Sequence, residues 1–342
     1  MGRRLVILAA LLFAWVVVPV IPAQATASGD NGDIAFRRFL NVERTWGAIF
    51  TIRPNGRGER QVTYPSFGYV DRDPDVSPDG RKIAFQRQAV DCGTDCSSSE
   101  VFVVNADGSH LRQLTEQAPG AVCGGGGTCN ESPAWSPNGR SIAFARGQGP
   151  IVDDYMQSHG IYVMKADGSH VRQITQKVLP TLGEDFSPQW SPNGRKLVFQ
   201  RNNKPGASPA GGIALWTINL ATGRERIITP YPIEAGDTPD WSPDGHRILF
   251  HSNNSQNPNV SANLYTVRPD GTGLRQLTFE TGGTVNYLGS SYSPDGKMIT
   301  FGRRPETGGA ADIFVARADA TRIRPVTRTA LYDSYPDWGP TC

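Results

Sequence analysis

A short turn phrase, Ser-Pro followed by Asp or Asn and then Gly, returns along this chain at nearly regular intervals. It occurs at residues 77–80, 136–139, 191–194, 242–245 and 293–296. The serines are 59, 55, 51 and 51 residues apart, so the chain is built from repeated units. Proline presets the φ angle of the second turn position, and glycine accepts the positive φ that closes a tight hairpin. The phrase therefore predicts one such hairpin in each unit.

Short apolar segments around each turn predict four strands per unit. A bulky residue precedes the turn in every case: Val76, Trp135, Trp190, Trp241 and Tyr292. An apolar triplet that ends in phenylalanine follows the turn, and two more short segments complete the unit. Four meandering strands are typical of a β-propeller blade. The fixed repeat position of the tryptophans predicts packing between blades, where burying a large ring stabilises most, rather than exposed platforms for sugars.

The two ends of the chain together supply one further unit. Residues 336–340 resemble a first strand with half a turn, and residues 31–37 resemble the missing half-turn and second strand. We therefore expect an all-β fold, a six-bladed β-propeller of four-stranded antiparallel blades, closed by N- and C-terminal strands that share one blade. Such a closure removes free sheet edges.

The first 25 residues have the pattern of a secretory signal peptide. Arg3 and Arg4 precede an apolar run over residues 5–20, and Ala23-Gln24-Ala25 provides a small-x-small cleavage pattern. The run is short for a membrane span, which needs about twenty residues, so a retained anchor is the alternative. We expect a signal peptide over 1–25 and a propeller over 26–342, exported to the periplasm or outside the cell, without membrane insertion after cleavage.

The charge balance argues against a nucleic-acid partner. The chain has 34 Lys and Arg and 32 Asp and Glu residues, and cleavage after Ala25 removes two arginines and no acid, which leaves no net charge. A nucleic-acid binder should carry a basic patch or stripe. The sequence contains no basic run of this kind, and none that would favour an anionic membrane surface.

Five cysteines occur in the sequence: Cys92, Cys96, Cys123, Cys129 and Cys342. The spacing of the first four is loose for a structural zinc site, and export favours oxidation. We therefore predict disulfides among these four. The pairing stays open between two small local rings and two bridges that join neighbouring loops. Cys342 is left over.

The repeat resembles the TolB-type (WD40-like) propeller repeat, in which P-x-W-S-P-D-G is the recurrent phrase. It is also similar to the propellers that cap prolyl-oligopeptidase-type peptidases. This sequence leaves no segment for an α/β-hydrolase domain and has no G-x-S-x-G elbow. TolB carries an extra domain before its propeller, whereas here the first strand begins within about ten residues of the predicted cleavage site. The resemblance implies a module that binds a protein or peptide partner.

The propeller topology predicts where binding residues lie. The two tight turns of each blade share one face, and the longer, more varied connections share the other, where we expect the binding site. Acidic residues precede the first strands at Asp71, Asp73, Glu131, Asp185, Asp237 and Asp333. A collar of carboxylates at the channel mouth would hold a cation or a ligand amine. The structural alternative is that these acids solvate the strand entries and hydrogen-bond loop amides.

Catalytic chemistry is not indicated by any motif. Only His159 and His251 of the five histidines lie near the predicted loop face, in different blades, without metal-ligand spacing. The leading hypothesis is an exported, non-enzymatic, monomeric interaction module without a cofactor, which binds a protein or peptide partner in the cell envelope or outside the cell. The alternatives are a secreted hydrolase or lyase that acts on sugars or lactones with a metal at the channel mouth, and a solute-binding protein.

Overall fold

The structure is a computed structural model that describes residues 29–90, 98–117, 125–152, 155–175, 183–203, 212–252, 262–282, 285–305 and 309–342. Within these ranges the chain consists of β-strands, turns and a 3-10 turn at Tyr231–Ile233. No helix in the described ranges has the length and apolar character needed to cross a membrane. The predicted signal peptide falls almost wholly outside them.

The strands of the described residues are short and follow one another along the chain. In order they are β1 (Asn31–Phe39), β2 (Gly47–Ile52), β3 (Arg60–Gln61), β4 (Tyr69–Val76), β5 (Lys82–Ala89), β6 (Ser99–Asn105), β7 (Arg112–Gln113), β8 (Gly125–Trp135), β9 (Ser141–Val152), β10 (Tyr155–Lys165), β11 (Arg172–Gln173), β12 (Glu184–Trp190), β13 (Lys196–Asn203), β14 (Gly212–Asn219), β15 (Glu225–Ile227), β16 (Asp240–Trp241), β17 (Ile248–His251), β18 (Leu264–Val267), β19 (Arg275–Gln276), β20 (Val285–Tyr292), β21 (Met298–Pro305), β22 (Asp312–Arg317), β23 (Arg324–Pro325) and β24 (Asp333–Pro340).

These strands pair in antiparallel sets of four. The sets are β24-β1-β2-β3, β4 to β7, β8 to β11, β12 to β15, β16 to β19 and β20 to β23. Two isolated parallel pairs, Gly47 with Val70 and Ser99 with Cys129, join the first three sets into one larger sheet. The all-β prediction with several four-stranded sheets is therefore confirmed. Below, the first strand of each set is called its leading strand.

The recurrent phrase forms the tight turn that was predicted from it. In the first copy the amide of Gly80 donates to the carbonyl of Ser77 at 2.8 Å, and Gly80 has φ +70°. The Ser77 hydroxyl donates to Asp79 and accepts the Lys82 amide at 2.9 Å. Because the serine and the Asp or Asn satisfy the turn's own polar groups, the same geometry is reproduced in each copy of the phrase.

The two ends of the described chain lie side by side in one set. β1 pairs with β24 antiparallel, with Ile34 opposite Trp338 and Ala35 opposite Asp337. The indole of Trp338 donates to the carbonyl of Gly32 at 3.1 Å. Residues 34–36 therefore lie next to Trp338, as expected for chain ends that supply one unit together.

The core repeats with the sequence. A phenylalanine on the second strand of each set is fully buried, at Phe36, Phe85, Phe144, Phe199, Phe250 and Phe301. The aromatic residues before the recurrent turns are also buried, at 2 to 6 % exposure: Trp135, Trp190, Trp241, Tyr292 and, in β24, Trp338. Trp190 of β12 packs against Ala143 and Ile161 of the preceding set, and Trp241 packs against Val198. The prediction that these rings pack between units is confirmed.

Strands replace part of the predicted long connections. We expected a loop over residues 147–160, but β9 and β10 extend through most of it as one hairpin, with His159 opposite Gly147. β8 likewise begins at Gly125, inside the predicted loop over residues 116–132. Glycine-rich and polar sequence suggested irregular structure there, whereas backbone pairing to a neighbouring strand decides the conformation.

Replacing Trp338 with alanine should lower the free energy of unfolding by about 3–5 kcal/mol, because the change leaves a large cavity between β24 and Ile313 and Val315 of β22 in the neighbouring set. Urea unfolding followed by circular dichroism measures it. Ile323→Ala, at a position that is 41 % exposed, is the control and should change stability by less than about 1 kcal/mol. Equal stabilities of the two variants would contradict the packing assigned to Trp338.

Candidate functional site

The leading strands share an irregularity at the point where they approach one another. One residue in each strand, or just before it, has positive φ: Asp73, Ser132, Ser187, Thr238, Gly289 and Tyr335, at +47 to +78°. Proline follows in five of these places. The pairing register shifts here in five of the sets, as in a β-bulge, which re-aims side chains. Left-handed non-glycine residues are strained, and such strain concentrates at functional sites.

The bulges converge on a small central cavity of about 50 Å³. Its wall is made of equivalent segments from the six leading strands: 73–75, 132–133, 187–189, 238–240, 290–291 and 335–337. Four of these segments hold one residue before a proline and one after it, whereas segment 132–133 ends at its proline and segment 290–291 has none. This cavity is the candidate functional site, and its residues fall into an inner tier, after the proline, and an outer tier, before it.

Three carboxylates dominate the inner tier and connect neighbouring sets. Asp75 accepts the backbone amide of Trp135, Asp240 that of Tyr292, and Asp337 that of Val76, each at 2.7 Å. The second oxygens are also occupied, because Gln189 donates to Asp75 at 3.0 Å and Ser291 to Asp337 at 3.1 Å. Each aspartate thus ties its own leading strand to that of a neighbouring set, and Asp337 of β24 ties its own set to β4.

Sequence reasoning missed this tier. All three aspartates follow a proline at 74, 239 and 336 and precede the bulky residue of the recurrent phrase. The available signal was this shared position in the repeat, which indicates side chains at equivalent places around one axis.

The inner carboxyls have raised pKa values. Burial raises the pKa of Asp240 to about 7, with repulsion from Asp337 as the next cause. Burial also raises the pKa of Asp337 to about 6, and burial followed by repulsion from Asp337 raises that of Asp75 well above its usual range. Burial, together with the repulsion that Asp337 exerts on Asp75 and Asp240, thus favours the protonated forms.

Three of the six predicted acids lie elsewhere, in ion pairs within their own sets. Asp71, Asp185 and Asp333 are almost fully buried. Each receives two hydrogen bonds from an arginine of the second strand, at 2.5 to 2.8 Å: Arg87, Arg201 and Arg38, respectively. Burial raises the pKa of each carboxyl, and the paired arginine opposes this rise. These three carboxylates have a structural role, because an arginine already engages both oxygens of each.

The other three predicted acids surround the outer tier. The carboxylate of Asp73 accepts the Ser132 hydroxyl at 3.2 Å and lies 3.7 Å from Nε of Arg72. Asp237 accepts the Tyr335 hydroxyl at 3.0 Å and lies 3.4 Å from Nε2 of His251. These contacts place acids from two different sets, Asp73 and Asp237, beside the outer tier.

Glu131 and two arginines complete the outer tier. Burial raises the pKa of Glu131, and the Arg72 charge opposes the rise. The guanidinium carbon of Arg37 lies 4.7 Å from the centre of the Tyr335 ring, and that of Arg72 lies 5.9 Å from it. Burial and the neighbouring Arg72 lower the pKa of Arg37 to about 10. The opening therefore combines both charge signs with an aromatic ring, a set of groups suited to a polar peptide segment.

Metal-binding and nucleophilic groups are sparse in the described part of the chain. No group of three or more His, Cys, Asp or Glu side chains there has metal-binding geometry. The two histidines singled out from the sequence are both buried and lie apart. His159 stacks on Phe186 at 4.2 Å, and burial lowers its pKa to about 4. It is therefore a neutral ring at physiological pH.

An exposed aromatic patch lies on the face of the longer connections. It consists of Val42, Trp46, Tyr64, Phe67 and Tyr69, and Tyr64 and Phe67 are 75 and 65 % exposed. Trp46 lies 6.2 Å from Phe67 and donates to the carbonyl of Pro65 at 3.0 Å. Trp46 and Phe67 contact each other, and the backbone anchors Trp46, so this part of the patch has a fixed position.

The predicted disulfides stay a prediction. Cys129 is buried in β8, and Cys92, Cys96 and Cys123 lie outside the described residues. Cys342 is a free, exposed thiol that contacts the Gly80 carbonyl at 3.1 Å.

Comparison with known proteins connects the repeat to one fold. No family model matches the sequence. The chain is 38 % identical over 81 residues to the Tol-Pal system protein TolB of Zymomonas mobilis, which is 24 % of this chain and 15 % of that protein. It is 27 % identical over 229 residues to the TolB homologue of Chlorobium luteolum, which is 57 % of this chain and 47 % of that protein. The structure of TolB from Acinetobacter baumannii superposes with a TM-score of 0.67 at 17 % identity, covering 92 % of this chain and 68 % of that one.

The chain has a TolB-like β-propeller fold. Its four-stranded sets are accordingly called blades from here on.

Other matches show that this fold accompanies different activities. The uncharacterized peptidase YuxL of Bacillus subtilis is 23 % identical over 220 residues, 55 % of this chain and 30 % of that protein. An oligogalacturonate lyase in complex with manganese superposes with a TM-score of 0.51 at 15 % identity, over 88 % of this chain and 74 % of that one. The chain spans less than half of the length of the curated relatives named here. Fold likeness alone therefore leaves the activity open.

Stability should fall as the pH rises from 5 to 8. The raised pKa values mean that the folded chain holds protons that the unfolded chain releases, so the contribution is full at low pH and is lost as pH passes about 6 to 7. Asp240→Asn should make the slope of unfolding free energy against pH shallower by up to about 1.4 kcal/mol per pH unit. Urea titrations across this range measure it.

Asp270→Asn is the matched control for this measurement. Its hydrogen bonds with Thr272 lower the pKa of this exposed carboxyl, so it is ionised in both states throughout the pH range. The control should keep the wild-type slope. An Asp240→Asn slope that equals the wild-type slope would contradict the proton uptake assigned to the inner tier.

Proposed function

We propose that the chain is an exported, non-enzymatic interaction module that binds a protein or peptide partner. In this proposal the signal sequence directs export, and six blades close into a ring through the pairing of β1 with β24. The partner lies on the face of the longer connections, over the aromatic patch and the outer tier of the cavity. The module acts as a monomer.

The exposed aromatic patch is the observation that carries this proposal. A soluble surface rarely exposes several aromatic side chains together, and such patches mark interaction sites. Tyrosine, tryptophan and arginine are also the residues that dominate binding energy at protein interfaces. Here Tyr64 and Phe67 lie on the same face as the opening, which contains Arg37, Arg72 and Tyr335. An extended peptide could rest its apolar side chains on the patch and place polar groups in the opening.

The likeness to TolB proteins supports the same kind of function. The relatives that share the fold include proteins named as Tol-Pal system components, and a component of a protein system needs surfaces for other proteins. In the described part of the chain, the carboxylates that resemble an active site are occupied by backbone amides or arginines. The amide bonds link neighbouring blades and the arginine pairs brace single blades, which favours a rigid scaffold over a catalytic centre.

A comparison of variants in a binding experiment tests the proposal. The tagged chain, the double variant Tyr64→Ser with Phe67→Ser, and the control Phe279→Ser are incubated with a cell-envelope extract, and captured proteins are quantified by mass spectrometry. Phe279 is 75 % exposed on the same face but outside the patch. We expect at least one protein to be captured by wild type and control and about tenfold less by the double variant. Identical captures by all three would contradict the proposal.

A metal-dependent lyase or hydrolase is the second candidate. The carboxylates Asp75, Asp240 and Asp337 favour it, because they face one cavity in a fold shared with a manganese-containing lyase. Oxygen ligands of this kind suit a divalent cation. For such an ion, side chains would have to give up the amide hydrogen bonds that they now accept.

Elemental analysis distinguishes the candidates. Purified chain is dialysed against Mn²⁺ and then against metal-free buffer, and bound metal is measured for wild type and for Asp240→Asn with Asp337→Asn. A stoichiometric ion in the wild type that is lost in the variant would replace the first proposal with the second. We expect less than a tenth of an equivalent, on the order of adventitious binding, in both.

A further inference from the structure

Six equivalent segments form the outer edge of the face opposite the aromatic patch. They run from the end of the third strand of each blade to an arginine of the outermost strand: 53–60, 105–112, 165–172, 219–226, 268–275 and 317–324. The final arginine occupies the same register position in each blade, opposite Thr51, Val103, Val163, Thr217, Thr266 and Val315. These segments are called the basic rim.

The basic rim has a net positive charge, although its residues are far apart in the sequence. Its segments contain thirteen Arg and Lys against six Asp and Glu residues, although the chain after residue 25 has no net charge. The sequence contains no basic run because these cations are divided among six segments that lie far apart along the chain. The repeat brings them to one edge of the molecule.

Neighbouring rim segments contact one another. Arg60 donates to the carbonyl of Ala106 at 2.6 Å, Arg112 to that of Ala166 at 3.2 Å, and Arg324 to that of Pro54 at 2.9 Å. Each of these bonds links the rim segment of one blade to that of the next. Arg172 and Arg275 belong to the same register position and are exposed.

Exposed aliphatic side chains alternate with these cations. The residue before the final arginine is Leu111, Val171, Leu274 and Ile323 in four blades, with 38 to 46 % exposure. The residue before each of them has positive φ, from +55 to +62°. Because the backbone turns in the same way each time, the four apolar side chains occupy equivalent places along the rim. Each has an arginine directly after it in the sequence.

We propose that the basic rim docks on the surface of a membrane that contains anionic phospholipids. Arginine pairs with lipid phosphate groups, and aliphatic side chains at the same level enter the boundary between headgroups and acyl chains. Charge complementarity alone would suit any polyanion. The aliphatic side chains favour the bilayer, because a nucleic acid in water offers them no apolar region. The opposite face, with the aromatic patch, would then point away from the membrane and stay accessible.

Vesicle co-sedimentation of the full chain tests this proposal. One set of vesicles contains phosphatidylcholine alone, and the other contains phosphatidylcholine with phosphatidylglycerol. We expect binding to the second set only, and weaker binding as salt is added. Absence of binding to the anionic vesicles at low salt, or equal binding to both sets, would overturn the proposal.

Two variants separate the apolar and charged contributions. Leu111→Ser with Val171→Ser and Leu274→Ser keeps every charge and should weaken vesicle binding about tenfold. Arg172→Gln with Arg275→Gln avoids the arginines with inter-blade hydrogen bonds and should weaken it about thirtyfold. Phe279→Ser, on the opposite face, should bind as wild type does, and equal melting temperatures show that all variants fold.

Binding of the same variants to duplex DNA is measured as well, and it distinguishes a surface specific for membranes from one that binds any polyanion. If the serine variant binds anionic vesicles as tightly as wild type, the aliphatic side chains take no part and the membrane proposal is wrong. Tight DNA binding by both would then identify the rim as a general polyanion surface. Retained binding by the arginine variant would overturn the role assigned to the rim charges.

Discussion

Packing of aromatic side chains between neighbouring blades is the interaction on which this structure depends. A four-stranded sheet of this size cannot bury its hydrophobic surface alone and must be covered on both faces. The buried phenylalanine of each second strand and the ring before each recurrent turn provide this cover. The inner aspartates add a directional link, since each accepts a backbone amide from the next leading strand. Burial of apolar surface holds neighbouring blades together, and these hydrogen bonds fix how the blades are aligned.

Much of the fold could be predicted from the sequence because its cause is local and repeated. The Ser-Pro-Asp-Gly phrase contains every group that its turn requires, so Ser77 to Gly80 fold as predicted without tertiary information. The hairpin of β9 and β10 was not predicted. Its glycine-rich and polar sequence carries no periodic pattern, and its strands exist because they pair with each other.

The candidate site was predicted less well, for a physical reason. Acidic character alone does not distinguish a carboxylate at an opening from one in an ion pair. Asp71 and Asp73 are two residues apart, yet Asp71 is buried against Arg87 and Asp73 reaches the opening. The bulge between them changes which side chains point inward, and a bulge has no signature as simple as that of a tight turn. Asp240 and Asp337 were overlooked because they lie within the repeat phrase, where every residue looked structural.

The pairing of β1 with β24 also governs the order of events during synthesis. The strands that flank this seam are about 300 residues apart in sequence, as the pairing of Arg37 with Ser334 shows. The ribosome synthesises all the remaining blades before β24. The hydrogen-bonding edge of β1 therefore stays unpaired for the longest time. Contacts between such distant segments form slowly, and an open strand edge invites association with other chains. A chain built in this way gains from a cellular route that keeps it unfolded until its last residues are made.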